Sequence, residues 1–118
     1  MRYMLLIHTD ESAADTAPAE GITRMSADYG AYTEAMNRAG VNLGGERLQP
    51  AKTAANVRVR DGRTDVLDGP YADTKEQFGG YYLIDVPDID QAIAWAARCP
   101  AAARGTVEVR PVSELSRT

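Results

Sequence analysis

Apolar positions along this chain switch between two rhythms. Residues 2–9 (Arg-Tyr-Met-Leu-Leu-Ile-His-Thr) are rich in Leu, Ile and Tyr and predict a first strand. Residues 10–20 are small and polar, a loop leading to a helix with Pro18 near its first turn. Ile22, Met25, Tyr29, Tyr32 and Met36 then recur at spacings of three and four, while Arg24, Asp28, Ala31, Glu34 and Arg38 fill the opposite side. That is an amphipathic helix, stopped by Gly40. Residues 41–48 read as a second strand, weakened by Gly44-Gly45. Residues 56–60 alternate at period two, Asp61-Gly62 signals a hairpin, and residues 64–67 return. A strict two-residue turn sets Arg60 opposite Arg63, a like-charge pair, whereas a three-residue loop with Gly62 in the left-handed region avoids it; the pattern leaves the register open. After the turn-rich segment 68–77, residues 79–86 form the strongest strand. Asp88 caps a second helix, with Gln91 completing a capping box. Its expected buried stripe is Ile89, Ala92, Ile93 and Ala96, Pro100 ends it, and residues 105–112 are the last strand.

The order is β-α-β-(ββ)-β-α-β, an α+β fold with two crossover units separated by a hairpin, and 118 residues are the size of a single domain spanning 1–118. Right-handed crossovers put both helices on one face of an antiparallel sheet. The other face of a monomer should then be polar. It is not: Tyr3, Leu5 and Ile7 point one way and Met4, Leu6 and His8 the other, while Tyr82, Ile84 and Val86 oppose Tyr81 and Leu83. Leaving such side chains exposed forgoes roughly 1.5–3 kcal/mol each. A second subunit packing sheet to sheet, giving a homodimer, is the economical cover; the alternative is a long loop, 9–20 or 68–77, folded over the open face.

Composition narrows the function classes. The net charge of −4 is spread without a basic stripe, so neither nucleic acid nor an anionic membrane surface is an expected partner. A hydrophobic content of 44% includes no run long enough to span a membrane. One cysteine, Cys99, allows no internal disulfide, and the short apolar start is followed at once by Asp10-Glu11, so a cytoplasmic location is expected. One His and one Cys cannot build a zinc site, Asp85, Asp88 and Asp90 lack the spacing of a calcium loop, and no phosphate loop or dinucleotide fingerprint occurs; no metal or cofactor is expected.

The stretch Asp68-Gly69-Pro70-Tyr71-Ala72-Asp73-Thr74-Lys75-Glu76-Gln77-Phe78-Gly79-Gly80-Tyr81-Tyr82 resembles the signature of the YCII-related (YciI-like) proteins, in the branch named for its Asp-Gly-Pro-Phe (DGPF) motif, with Tyr71 in place of Phe. Residues 39–41, 95–100 and 107–112 extend the likeness over essentially the whole chain. The resemblance implies a ferredoxin-like dimeric α/β-barrel. It implies little about activity, although the wider superfamily includes lactone isomerases and a dehalogenating member, and this branch is often encoded beside sigma factors. The wider group is credited with a His–Asp pair, the His early in the first helix and the Asp just before the proline that ends the second. Here residues 18–40 hold no His and Cys99 stands at the Asp position, so the pair does not carry over.

Candidate chemistry concentrates in residues 68–80. Asp68 and Lys75 are candidate polar, acid–base groups there, with Tyr71, Asp73, Glu76 and Tyr81 as substrate-binding walls of a cleft. The structural alternative has Asp68 fixing the turn, Asp73 or Thr74 capping a helical turn, and Lys75 and Glu76 solvated. His8, the single histidine, is the one side chain whose ordinary pKa lies near neutrality; with Asp10 two residues on it forms either a His–Asp dyad or a plain strand-end histidine. Cys99, at a helix C-terminus that opposes a thiolate, reads as core. Tyr29 and Tyr32 read as packing residues. Arg58, Arg60 and Arg63 mark either an anion grip or a solvated hairpin edge, and Glu108 with Arg110 a rim pair. Two functions follow: a dimeric protein that binds or converts a small polar metabolite near the 68–80 loop, or a non-catalytic regulatory or interaction module, linked in this branch to sigma factors.

Overall fold

A computed structural model describes residues 1–12, 19–72 and 74–114. Pro18 and Asp73 lie outside the described residues, as does the side chain of Ile22. The described elements are β1 (Arg2–Thr9), α1 (Ala19–Arg38), β2 (Asn42–Arg47), β3 (Ala55–Arg60), β4 (Arg63–Asp68), β5 (Gln77–Asp85), α2 (Ile89–Arg98) and β6 (Thr106–Pro111). Single 3₁₀ turns at Ala51–Thr53 and Pro100–Ala103 join neighbouring elements. Strands β2, β5, β1 and β6 form one antiparallel sheet in that order, and β3 and β4 form a separate two-stranded sheet. This α+β arrangement is consistent with a ferredoxin-like fold carrying a hairpin between its second and third sheet strands.

The alternation of β1 sorts the sheet into two faces. Tyr3, Leu5 and Ile7 are buried together with Ile84 and Val86 against Tyr32 and Met36 of α1 and Ala92 and Ala96 of α2. Tyr32 meets Tyr82 edge-on at 5.5 Å and donates its hydroxyl proton to the carbonyl of Trp95 at 2.8 Å, so a buried polar atom is satisfied while tying α1 to α2. Helix α1 ends in a Schellman arrangement: Val41 N–H donates to Met36 O and Gly40 N–H to Asn37 O, each at 3.1 Å, with Gly40 at φ 73°. Helix α2 starts where Asp88 accepts the Gln91 N–H at 2.9 Å.

One expectation changes and one open alternative is decided. The buried stripe of α2 is Ala92, Ala96 and the following Cys99, while Ile89 and Ile93 are 40% and 51% exposed. Positions 92, 96 and 99 line one edge of the helix, and their small side chains let it lie close to the sheet; the two isoleucines sit further round the cylinder and miss the contact. The hairpin makes the two-residue turn: Asp61 and Gly62 take φ 52° and 73°, and Arg60 faces Arg63. Both central residues adopt the left-handed region that a right-twisted ribbon favours, and solvent screens two exposed guanidinium groups, so the like-charge pair is tolerated.

On the face away from the helices, Met4 lies opposite Leu83 and Leu6 opposite Tyr81, and all four are half-buried. The molecule is a slab of 49 × 46 × 18 Å, its thin dimension that of one sheet and one helix layer. No helix among the described residues is long and apolar enough to cross a membrane.

Leu5, fully buried at the centre of the core, should cost about 2–5 kcal/mol of unfolding free energy when replaced by Ala, because its removal leaves a cavity under two helices. Ile93→Ala should stay within about 1 kcal/mol of wild type. Urea unfolding of both variants checks the contrast; equal losses would contradict the assignment of the α2 faces.

Candidate functional site

The sheet order makes β1 and β6 neighbours although they lie at opposite ends of the chain, and their register puts His8 beside Thr106 and Leu6 beside Glu108. Glu108 therefore sits diagonally from His8 on the face away from the helices. Its Oε1 lies 3.3 Å from His8 Nε2, and since an ionised carboxylate only accepts, the imidazole N–H is the donor. The other carboxylate oxygen accepts from Arg110 Nε at 3.1 Å and from a second guanidinium nitrogen. Hydrogen bonding from Arg110 above all, and then from His8, holds the Glu108 carboxyl below its usual range. The three side chains form a line His8–Glu108–Arg110 along the sheet surface. Phe78, across the β1/β5 bulge, tilts its ring against the imidazole at 5.5 Å.

The end of β1 is crowded by design of the backbone. A Cβ on Gly105 would lie 2.2 Å from the carbonyl oxygen of His8, so only glycine lets the chain enter β6 at this approach.

Over this end of the sheet opens a cleft of about 1120 Å³. His8, Thr106, Glu108 and Phe78 form its sheet side. Leu48, Pro50, Ala51 and Ala54, on the connection from β2 to β3, form one wall; Pro70, Tyr71, Lys75 and Glu76, between β4 and β5, form the other. The walls are cross-tied. Glu11 accepts the Ala51 N–H at 3.0 Å and donates its own N–H to Gln77 Oε1 at 2.9 Å. Gln77 Nε2 donates to Thr74 O, Thr74 Oγ1 to Glu76 O, both at 2.6 Å, and Thr106 Oγ1 to Glu76 Oε1 at 2.8 Å. Gly69 N–H donates to Ala54 O at 2.7 Å, closing the root of the hairpin.

Among the residues the sequence singles out, His8, Tyr71, Lys75 and Glu76 are thus brought to one cleft. Asp68 is exposed at the end of β4, opposite Ala55, and does not line it. Tyr81 is half-buried on the same sheet face, between Leu6 and Glu46, outside the lining. Asp73 lies outside the described residues. The His8–Asp10 dyad is corrected: Asp10 Oδ1 accepts from Ser12 N and Oγ at 3.0 and 2.6 Å, closing a local turn, and the partner of His8 is Glu108. Glu108 pairs with Arg110 as the strand pattern suggests, but its contact with His8 and the 48–54 wall are what sequence reasoning misses. The signal was available in the two crossover units, whose strand order places β6 beside β1; proximity in sequence favoured Asp10 instead.

Cys99 is core, as its helix position indicates: it is buried, and burial raises its thiol pKa. Burial likewise raises the phenols of Tyr29 and Tyr32 above their ordinary value. Among the described residues no group of three or more His, Cys, Asp or Glu side chains is placed to hold a metal ion.

An antiparallel α+β sheet with a loop-lined cleft at one end defines a class of small domain that many chemistries share. Comparison with known proteins assigns the family: residues 1–116 match the YCII-related domain, and the chain belongs to the YCII-related family. It is 37% identical over 115 residues to an uncharacterised protein of Rhizobium meliloti (strain 1021), covering 96% of this chain and 93% of that one.

Two outcomes follow from this geometry. Because the Glu108 carboxyl is held below its ordinary value in the folded chain, its contact with Arg110 stabilises the fold above the ordinary carboxylate range and fades as pH falls through the depressed folded-state value. The unfolding midpoint of Arg110→Ala should therefore trail wild type slightly at about pH 7, as suits an exposed pair, and converge on it once pH falls below the ordinary carboxylate range; a constant gap would show that the contact is not carboxylate-linked. Cys99 should resist a disulfide thiol reagent in the native protein and react fully once unfolded, a contrast read from the released chromophore.

Proposed function

We propose that this protein is a homodimer of the DGPF branch that binds, and through His8 can exchange a proton with, a small polar metabolite held in the cleft at the Tyr71–Lys75 end of the sheet. The observation that carries the binding half is that His8 and Glu108, the latter held from behind by Arg110, face a cleft whose lining is largely apolar. A carboxylate hydrogen-bonded to an imidazole fixes the orientation of the ring, which is the support a proton-carrying histidine needs. Lys75 offers a cation at the rim, and Tyr71, 80% exposed at the mouth, offers a face to stack on. Pockets of this make-up, apolar with a few convergent polar groups, suit small-molecule ligands.

The dimeric half is supported by surface area. The chain exposes 8329 Å². A compact monomer of this mass exposes roughly 6,300 Å², so about 2,000 Å² per chain is in excess, the scale that an obligate homodimer hides. The radius of gyration, 16.3 Å, likewise exceeds the roughly 13–14 Å of a compact domain of this length.

A thermal-shift screen of small carboxylic acids and lactones tests the binding half. A ligand should raise the melting temperature of wild type, and Lys75→Ala and His8→Ala should each weaken it about tenfold while leaving the ligand-free melting temperature within a few degrees. Silence across the screen, with a protein partner recovered through the same surface, would favour the regulatory module instead. Sedimentation at micromolar concentration tests assembly: a dimer is expected.

A further inference from the structure

We infer that the β3–β4 hairpin is an arm that docks on a second copy of this chain through Val57, Val59 and Val66; the inference rests on the dimeric reading above and specifies its contact. The hairpin is amphipathic in register. Val57 faces Val66 and Val59 faces Thr64 on one side of the ribbon, while on the other Arg58 faces Asp65 and Arg60 faces Arg63, with Leu67, opposite Asn56 at the root, the one apolar residue on that side. Such alternation is the pattern of a ribbon with one wet and one covered face. Yet the valines are 61%, 58% and 61% exposed in the single chain, and the ribbon forms a sheet of its own, separate from the four-stranded one. A two-stranded ribbon alone in water is marginal, so the apolar side needs a surface to lie on.

Its root is fixed: Gly69 N–H donates to Ala54 O, and the Asn56 side-chain amide donates to Gly69 O. The arm is therefore held in place at one end and unsupported along its length. The same molecule offers an unpartnered apolar counterpart, the strip of Met4, Leu6, Tyr81 and Leu83 on the face away from the helices. A chain carrying both an apolar ribbon and an apolar open face finds its complement in a copy of itself, and a two-fold axis uses the contact twice and closes the assembly. The surplus of about 2,000 Å² per chain is large enough to include both surfaces. Because Ala54, Asn56, Pro70 and Tyr71 at the hairpin root also line the cleft, docking the arm fixes the walls of that cleft.

The test measures the dimer dissociation constant by sedimentation for wild type, Val57→Asp with Val66→Asp, and Arg58→Ala. The double variant should raise it about a hundredfold with unchanged far-ultraviolet circular dichroism, since docking then requires two carboxylates to lose their water, and Arg58→Ala on the wet side should leave it within about threefold. A double variant that dimerises like wild type would overturn the arm and leave the dimer standing; a wild type that is monomeric at every concentration overturns the dimeric reading and the arm with it. Should the double variant not fold, hydrogen exchange on wild type decides. Protection of the β3 and β4 amides that falls on dilution through the dissociation constant supports the arm, and protection indifferent to dilution overturns it.

Discussion

Strand β1 lies between β5 and β6, and its alternation assigns Tyr3, Leu5 and Ile7 to the helices while Met4, Leu6 and His8 face away. Every other feature of the molecule follows from that division. The helix-side residues make the core, and Ala92, Ala96 and Cys99 keep α2 close enough to seal it. The opposite residues create an apolar strip ending in a histidine, with Glu108 and Arg110 supplied by β6. One layer of two helices covers one face of a sheet, so the slab is asymmetric by construction. The His8–Glu108 cleft and the apolar strip both lie on the side that the helices leave open.

The division of labour at the open end is also physical. His8, Glu108 and Arg110 stand on paired strands, where the ladder fixes their spacing, while Tyr71 and Lys75 stand on a connection that side-chain hydrogen bonds from Gln77 and Thr74 hold in shape. The strand-borne groups thus keep a fixed mutual distance, while the two on the connection are set by loop geometry. The Arg110–Glu108 contact is exposed and contributes little to stability; its effect is to bias one carboxylate towards its charged form next to the single imidazole of the protein.

Much of the fold was legible because its signals are local. The strand alternation, the three-four spacing of Met25, Tyr29, Tyr32 and Met36, the stop at Gly40, the cap at Asp88 and the Asp61-Gly62 turn each need only a few neighbouring residues. The exposed Ile89 and Ile93 were not legible, since hydrophobicity alone points them inward and only the closeness of α2 to the sheet, allowed by its alanines, turns them out. The site was half legible. Residues 70–76 announce themselves by turn chemistry, whereas Glu108 meets His8 across a separation of 100 residues and becomes visible only through the strand order. Asp68 is the converse case: rich in local promise, it ends β4 with its side chain away from the cleft.

The central position of β1 has a further consequence during synthesis. It leaves the ribosome before both of its sheet neighbours, β5 and β6, so its seven consecutive non-acidic, mostly apolar residues from Arg2 to His8 wait unpaired while the intervening chain is translated. Pairing ends so distant in sequence gives a high contact order, and such topologies fold slowly and expose unpaired edges while they do so. The hairpin, by contrast, joins strands adjacent in sequence and can close as soon as it emerges. The nascent chain thus completes its most peripheral element early and its centre last.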